Sequence, residues 1–150
     1  MKYEDREHKY PENSGERATG GQIAVDIECI NLVEPPDLDF QCAEHWTLFC
    51  VPVGHRLQHG ADVETTVFFR KGPTACDELE LLERLAAWIR EREPDSIVTY
   101  NGLSYDYPIR KHRAGVAARE CPGSHSCDMG LILNNIEHTD LFRVVKDRTS

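Results

Sequence analysis

The sequence predicts an α/β domain with a central mixed sheet, and three observations carry that prediction. Two runs rich in β-branched and aromatic residues, 45–53 and 63–70, follow an apolar run at 22–29 and read as strands. The period then changes: Leu79, Leu82, Leu85, Ala86 and Ile89 recur at three- and four-residue spacing, with Glu80, Glu83, Arg84 and Arg90 between them, as on an amphipathic helix. A short apolar run at 97–100 comes directly after that helix, the order in which a parallel strand pair is connected.

Residues 1–20 are polar, carry Pro11, Gly15 and Gly20 and show no apolar period, so they are read as a flexible arm ahead of a domain covering 21–150. In the first strand, 22–29, Asp26 and Glu28 stand two residues apart, which turns both carboxylates to one face and Val25 and Ile27 to the other. Glu34-Pro35-Pro36-Asp37 breaks regular structure. In the second strand Trp46, Leu48 and Cys50 are expected on one face and Thr47, Phe49 and Val51 on the other. The 54–61 connection suits a hairpin, so the first three strands form an antiparallel meander. Thr74 or Asp77 caps the helix and Pro94 stops it. The strand at 97–100 pairs with the first strand, and Asn101-Gly102 makes a tight turn. A second helix runs from Asp106 or Tyr107 to about Ala118, with Pro108 in its first turn. A Pro/Gly/Ser loop at 121–129 precedes Gly130-Leu131-Ile132-Leu133, a strand or a helix, and then a strand at 138–142. Residues 143–150 read as the start of a helix that the sequence does not complete.

The net charge of −9 argues against nonspecific nucleic-acid binding through bulk electrostatics. It leaves room for a nuclease whose bound cations supply positive charge at the site itself. No apolar run reaches the roughly 18 residues of a membrane span, and the charged N-terminus lacks the apolar stretch of a signal peptide, so a cytoplasmic protein with no membrane partner is expected. The six cysteines are dispersed, and free thiols are the expectation. Cys121, His125 and Cys127 lack an evident fourth ligand and read as a loop with incidental thiols rather than a zinc site.

Asp26, Glu28 and Asp106 are three acids at strand and turn ends. Hard cations such as Mg²⁺ and Mn²⁺ take such oxygen ligands. Two of them about 3.5–4 Å apart clamp both oxygens of an in-line phosphoryl displacement. Taken singly, Asp26 and Glu28 read as solvated acids on an edge strand, and Asp106 as a helix N-cap. Their joint occurrence favours the metal site. The basic run Arg110, Lys111 and Arg113, with His112, reads as the wet face of a helix before it reads as a phosphate contact, and Trp46 and Trp88 read as core.

Two motifs in this order carry a family resemblance. The triplet Asp26-Ile27-Glu28 and the stretch Tyr100-Asn101-Gly102-Leu103-Ser104-Tyr105-Asp106-Tyr107-Pro108, continued to Arg113-Ala114, resemble the first two motifs of DEDD 3′–5′ exonucleases. The likeness is greatest to the proofreading exonuclease domain of family B DNA polymerases and its stand-alone relatives. Glu93-Pro94-Asp95-Ser96-Ile97 resembles that family's lead-in to the second motif. His138-Thr139-Asp140-Leu141-Phe142 resembles the segment after it, so the likeness spans residues 22 to about 146. Tyr105 stands where the family usually has Phe.

The resemblance implies a ribonuclease H-like fold and a two-metal site for Mg²⁺ or Mn²⁺. In it Asp26 bridges the ions, Glu28 ligates the ion activating the attacking water, and Asp106 holds the other. It further implies that Asn101 and Tyr105 lie near the terminal nucleotides of a DNA or RNA 3′ end, single-stranded at the site, where an amide can hydrogen-bond and a ring can stack. The family's fourth carboxylate sits on a last helix, four residues after Tyr or His. Here Asp147 is the only acid after Asp140, and Arg143 stands four residues before it. The expectation is therefore an exonuclease domain lacking its C-terminal helix, either the front of a longer enzyme or a non-catalytic module that binds nucleic acid or protein. A sheet face around Ile23, Val25 and Val98 is then left uncovered, which invites a partner or self-association.

Overall fold

The computed structural model describes residues 19–39, 42–100, 102, 106–124, 127 and 129–149, without the side chains of Ala43, residues 106–111, Phe142 and Thr149. Six strands form one sheet: β1 (Gln22–Val25), β2 (Glu28–Asn31), β3 (Trp46–Arg56), β4 (Glu64–Phe69), β5 (Ser96–Thr99) and β6 (Glu137–Asp140). The helices are α1 (Ala75–Arg92), α2 (Asp106–Glu120), α3 (Met129–Asn134) and α4 (Leu141–Thr149). Strands β1 and β2 both pair antiparallel with β3, and β4 lies antiparallel on the far side of β3. On the other side β5 runs parallel to β1, and β6 parallel to β5. The expected meander followed by parallel strands is what the sheet contains.

The first strand is split where the sequence reading made it continuous. Val25 faces Val53 and Glu28 faces Cys50, so the same register runs through the gap and sets Asp26 opposite Pro52. Asp26 N–H donates to the Pro52 carbonyl at 3.1 Å, but the proline has no N–H to return. The ladder therefore lapses at Asp26 and Ile27. A register shift follows at once: Cys29 faces Leu48, so Phe49 has no partner in β2 and forms a bulge. The bulge overturns the expected facing of β3. Leu48 and Val51, each 0% exposed, share the inner face, and Cys50 belongs to the outer one.

Helices α1, α2 and α3 pack on the inner face. Leu81, Leu82, Leu85 and Ile89 of α1 meet Ile23, Val25, Val53 and Ile97 of the sheet, with Met129 and Leu133 of α3 completing the core. Each such fully buried aliphatic side chain contributes roughly 1.5–3 kcal/mol. Thr74 caps α1 by accepting from Asp77 N–H, and the Asp77 carboxylate accepts from Thr74 N–H at 2.9 Å, a reciprocal capping box. Glu93 ends the helix with φ 42°, one residue before Pro94. Trp46 and Trp88 are buried as expected.

Three expectations are corrected. Arg113 is not on a wet helix face: it is 4% exposed and paired with Glu78, which is 0% exposed. Cys76 and Cys121 form a disulfide joining the start of α1 to the residue after α2, so Cys121 is neither a thiol nor a zinc ligand; Cys29, Cys42, Cys50 and Cys127 are not disulfide-bonded. Ile23 and Val25 lie under helices rather than on the uncovered face. The helix start expected at 143–150 is present as α4, whose described side chains are exposed. Of the expected arm, residues 1–18 lie outside the described residues. Gly20 is held by the Arg92 carbonyl and by His55 Nε2, each at 2.8 Å. No helix among the described residues is long and apolar enough to cross a membrane.

Candidate functional site

Burial alternates through the split strand. Ile23, Val25 and Ile27 are buried, while Ala24, Asp26 and Glu28 are exposed. The two carboxylates thus share the outer face, as their spacing predicts, even though Asp26 sits in the gap and Glu28 opens β2. Ile27 N–H donates to Asp26 Oδ1 at 2.9 Å, which orients that carboxylate and satisfies a backbone donor freed by the break. Opposite Glu28, the Cys50 thiol is pushed above its ordinary pKa, first by burial, then by the negative charges of Glu28 and of Asp26. One buried thiol therefore lies in the field of both acids.

The parallel pairing of β1 with β5 fixes where the second motif begins. Ala24 faces Val98, so β5 ends at Thr99 alongside the end of β1, one inter-strand spacing of about 4.8 Å away. Ligands of open α/β sheets bind outside such carboxyl-terminal strand ends. From there the chain passes through Gly102 and enters α2 at Asp106. Gly102 is buried, and a Cβ on it would collide with the Thr99 side chain, so the turn closes against β5 only with glycine there. Thr99 Oγ1 is in turn hydrogen-bonded to His138 Nε2 at 2.7 Å.

Asp106 opens α2, seven residues after β5 ends at Thr99; its side chain, and Asn101 and Tyr105 altogether, lie outside what is described. Among the described residues no group of three His, Cys, Asp or Glu side chains gathers to hold a metal. Asp140 is 4% exposed and faces Thr99 in the ladder, on the same inner side as Ile97, so it does not join the two acids. The sequence reading missed Cys50 as their neighbour. The available signal was Pro52, a proline inside an apolar strand, which marks a bulge or a lapse in pairing.

Counting β1 and β2 as one interrupted strand, the order across the sheet is β4, β3, β1/β2, β5, β6, with only the β1/β2, β5 and β6 set parallel. This is the ribonuclease H-like fold, with paired acids on its central strand. The chain belongs to the DNA polymerase family B exonuclease domain family, whose pattern matches residues 49–125, just over half of the chain. That match contains the second motif; Asp26 and Glu28 precede it. A DNA polymerase 1 of Pyrococcus abyssi is 49% identical over 37 residues, 25% of this chain and 5% of the polymerase. The family B DNA polymerase of Pyrobaculum calidifontis superposes with a TM-score of 0.57 at 22% identity over 83% of this chain and 16% of its own. Escherichia coli ExoI, in a zinc-bound complex with single-stranded DNA, does so with a TM-score of 0.51 at 11% identity, over 86% of this chain and 29% of its own. The chain therefore spans a small part of each of these relatives.

Proposed function

We propose that this chain is a metal-dependent 3′–5′ exonuclease domain that hydrolyses phosphodiester bonds at single-stranded DNA or RNA 3′ ends. The observation that carries the reading is the presentation of Asp26 and Glu28 on one open face, at the strand end next to that of β5, after which the chain goes on to Asp106. Two carboxylates repel a phosphate unless their charge is met, so their exposure together suits hard cations better than it suits bare nucleic acid. Mg²⁺ or Mn²⁺ held by Asp26, Glu28 and Asp106 would polarise the scissile phosphate and offset the charge on the attacking and leaving oxygens. The Ile27 N–H fixes Asp26, and Gly102 closes on Thr99 at the end of β5. The resemblance assigns Asn101 and Tyr105 to the terminal nucleotides.

A second reading, a non-catalytic module that binds nucleic acid or protein, is favoured by Arg143 standing four residues before Asp147 on α4, where the family carries Tyr or His. Digestion of 3′-labelled and 5′-labelled single-stranded oligonucleotides with Mn²⁺ separates the two. Stepwise shortening from the 3′ end, abolished by Asp26→Ala and by EDTA, is the expected result. No cleavage by folded wild-type protein would retire the catalytic reading and leave the binding module.

A further inference from the structure

Two phenylalanines lie half in water on the carboxylates' side of the sheet. Phe69 is 47% exposed and Phe49 is 46% exposed, and their rings meet edge to face with centroids 6.2 Å apart. The register explains their position. Glu28 faces Cys50 and Cys50 faces Phe69, so one rung runs from the acid across β3 to the ring. Phe49 is the bulged residue next to Cys50, and the bulge is what turns it outward. Two inter-strand spacings put the Phe69 backbone about 10 Å from that of Glu28. That is roughly the length of three stacked nucleotides at 3.4 Å each.

Phe49 also borders a second feature. With Ile30, Leu32, Arg70 and Lys71 it lines a cleft of about 560 Å³, within the range of small-ligand sites. Arg70 is fixed there by donating to Thr47 Oγ1 and to the Pro73 and Thr74 carbonyls, so it offers standing charge; Lys71, 63% exposed, is shared with Glu80 at 2.8 Å. Glu78 and Glu120 with Arg113 also line the cleft, so what it offers a strand is the open rings with Arg70 and Lys71 beside them, not a net positive field.

We infer that Phe69 and Phe49 are a base-stacking subsite for a single strand whose 3′ end reaches Asp26 and Glu28, with the strand continuing toward the cleft beside Lys71. The inference rests on the exonuclease reading for the strand's polarity. Its recognition chemistry is stacking on the rings, which tolerates any base and is unavailable to the paired bases of a duplex.

The test is fluorescence anisotropy with a 5′-fluorescein oligonucleotide carrying a phosphorothioate 3′ end, single-stranded or annealed as a blunt duplex, in Mn²⁺. Phe69→Ala and Phe49→Ala are each expected to weaken single-strand binding roughly five- to hundred-fold, while leaving the weaker duplex binding unchanged. Phe69→Trp retains binding; Phe69→Leu, which keeps apolar bulk and hence the fold, loses it like the alanine variant. Wild-type affinity in Phe69→Leu means an apolar cover rather than stacking and overturns the inference, as does an absence of wild-type binding. Cleavage is read separately on an unmodified oligonucleotide. Ring-dependent binding without cleavage sinks catalysis but keeps the subsite, and cleavage with ring-independent binding does the reverse.

Discussion

At the scale of single residues, the most consequential pair outside the site is Glu78 and Arg113. Arg113 Nε donates to Glu78 Oε1 at 2.8 Å and Nη2 donates to Oε2, while Leu48 N–H donates to Oε1 at 3.0 Å. One carboxylate thus ties α1 to α2 and to β3. Burial works against the Arg113 charge, but the hydrogen bonds and charge of Glu78 outweigh it and hold the guanidinium above its ordinary pKa. Such a pair is costly to break from one side, because the surviving charge stays buried alone. Arg113→Met is therefore expected to cost about 3–5 kcal/mol in urea unfolding, and Glu78→Leu combined with Arg113→Met to cost less than the sum of the single changes. A single variant within about 1 kcal/mol of wild type would show that water reaches the pair.

At the scale of elements, what was legible depended on whether the signal is local. Helix α1 was readable because its apolar spacing, its Thr74 cap and its Pro94 stop all lie in one stretch of chain. The facing of Asp26 and Glu28 was readable for the same reason, since two-residue alternation needs no partner. The break in the first strand and the bulge at Phe49 were not, because they depend on which residues come opposite, Pro52 to Asp26 and Cys50 to Glu28. Arg113 was misread on similar grounds: its helix shows a weak apolar pattern, and only the approach of α1 makes its position an interior one. The local signals at α1 can be tested by pH. Asp77 is held below its ordinary pKa first by the Thr74 side chain and then by the Thr74 N–H, so its contribution is present above the unfolded value and is lost as pH falls through the folded one. Thr74→Ala removes the cap and is expected to lower Tm. The gap from wild type should be widest above about pH 5 and should narrow only as pH falls below about 4, through the depressed folded pKa of Asp77 in the wild type. A gap that does not change with pH would mean that the hydroxyl caps the helix without the carboxylate.

At the scale of the whole molecule, two links among the described residues tie α1 to α2, the helix that Asp106 opens. The buried pair joins α1 near its start to the middle of α2, and the Cys76–Cys121 bridge fastens the start of α1 to the end of α2 across a separation of 45 residues. That covalent loop encloses α1, β5, the glycine turn and α2, so closing it restricts the unfolded chain across the second motif. Chain entropy for a loop of this length is worth up to about 4 kcal/mol. Cys76→Ser with Cys121→Ser, or reduction of the wild type, should lower the urea midpoint accordingly, and reductant should then change nothing further in the double variant. The folded site should tolerate the loss, because Glu78 and Arg113 still hold the two helices together in the native state. Adding Arg113→Met to the serine variant removes both links, so the combined cost should exceed the sum of the two and 3′-end cleavage should fall with it. Strict additivity, with cleavage unchanged in folded protein, would instead mean that the sheet alone positions α2, through β5 and the closure of Gly102 on Thr99.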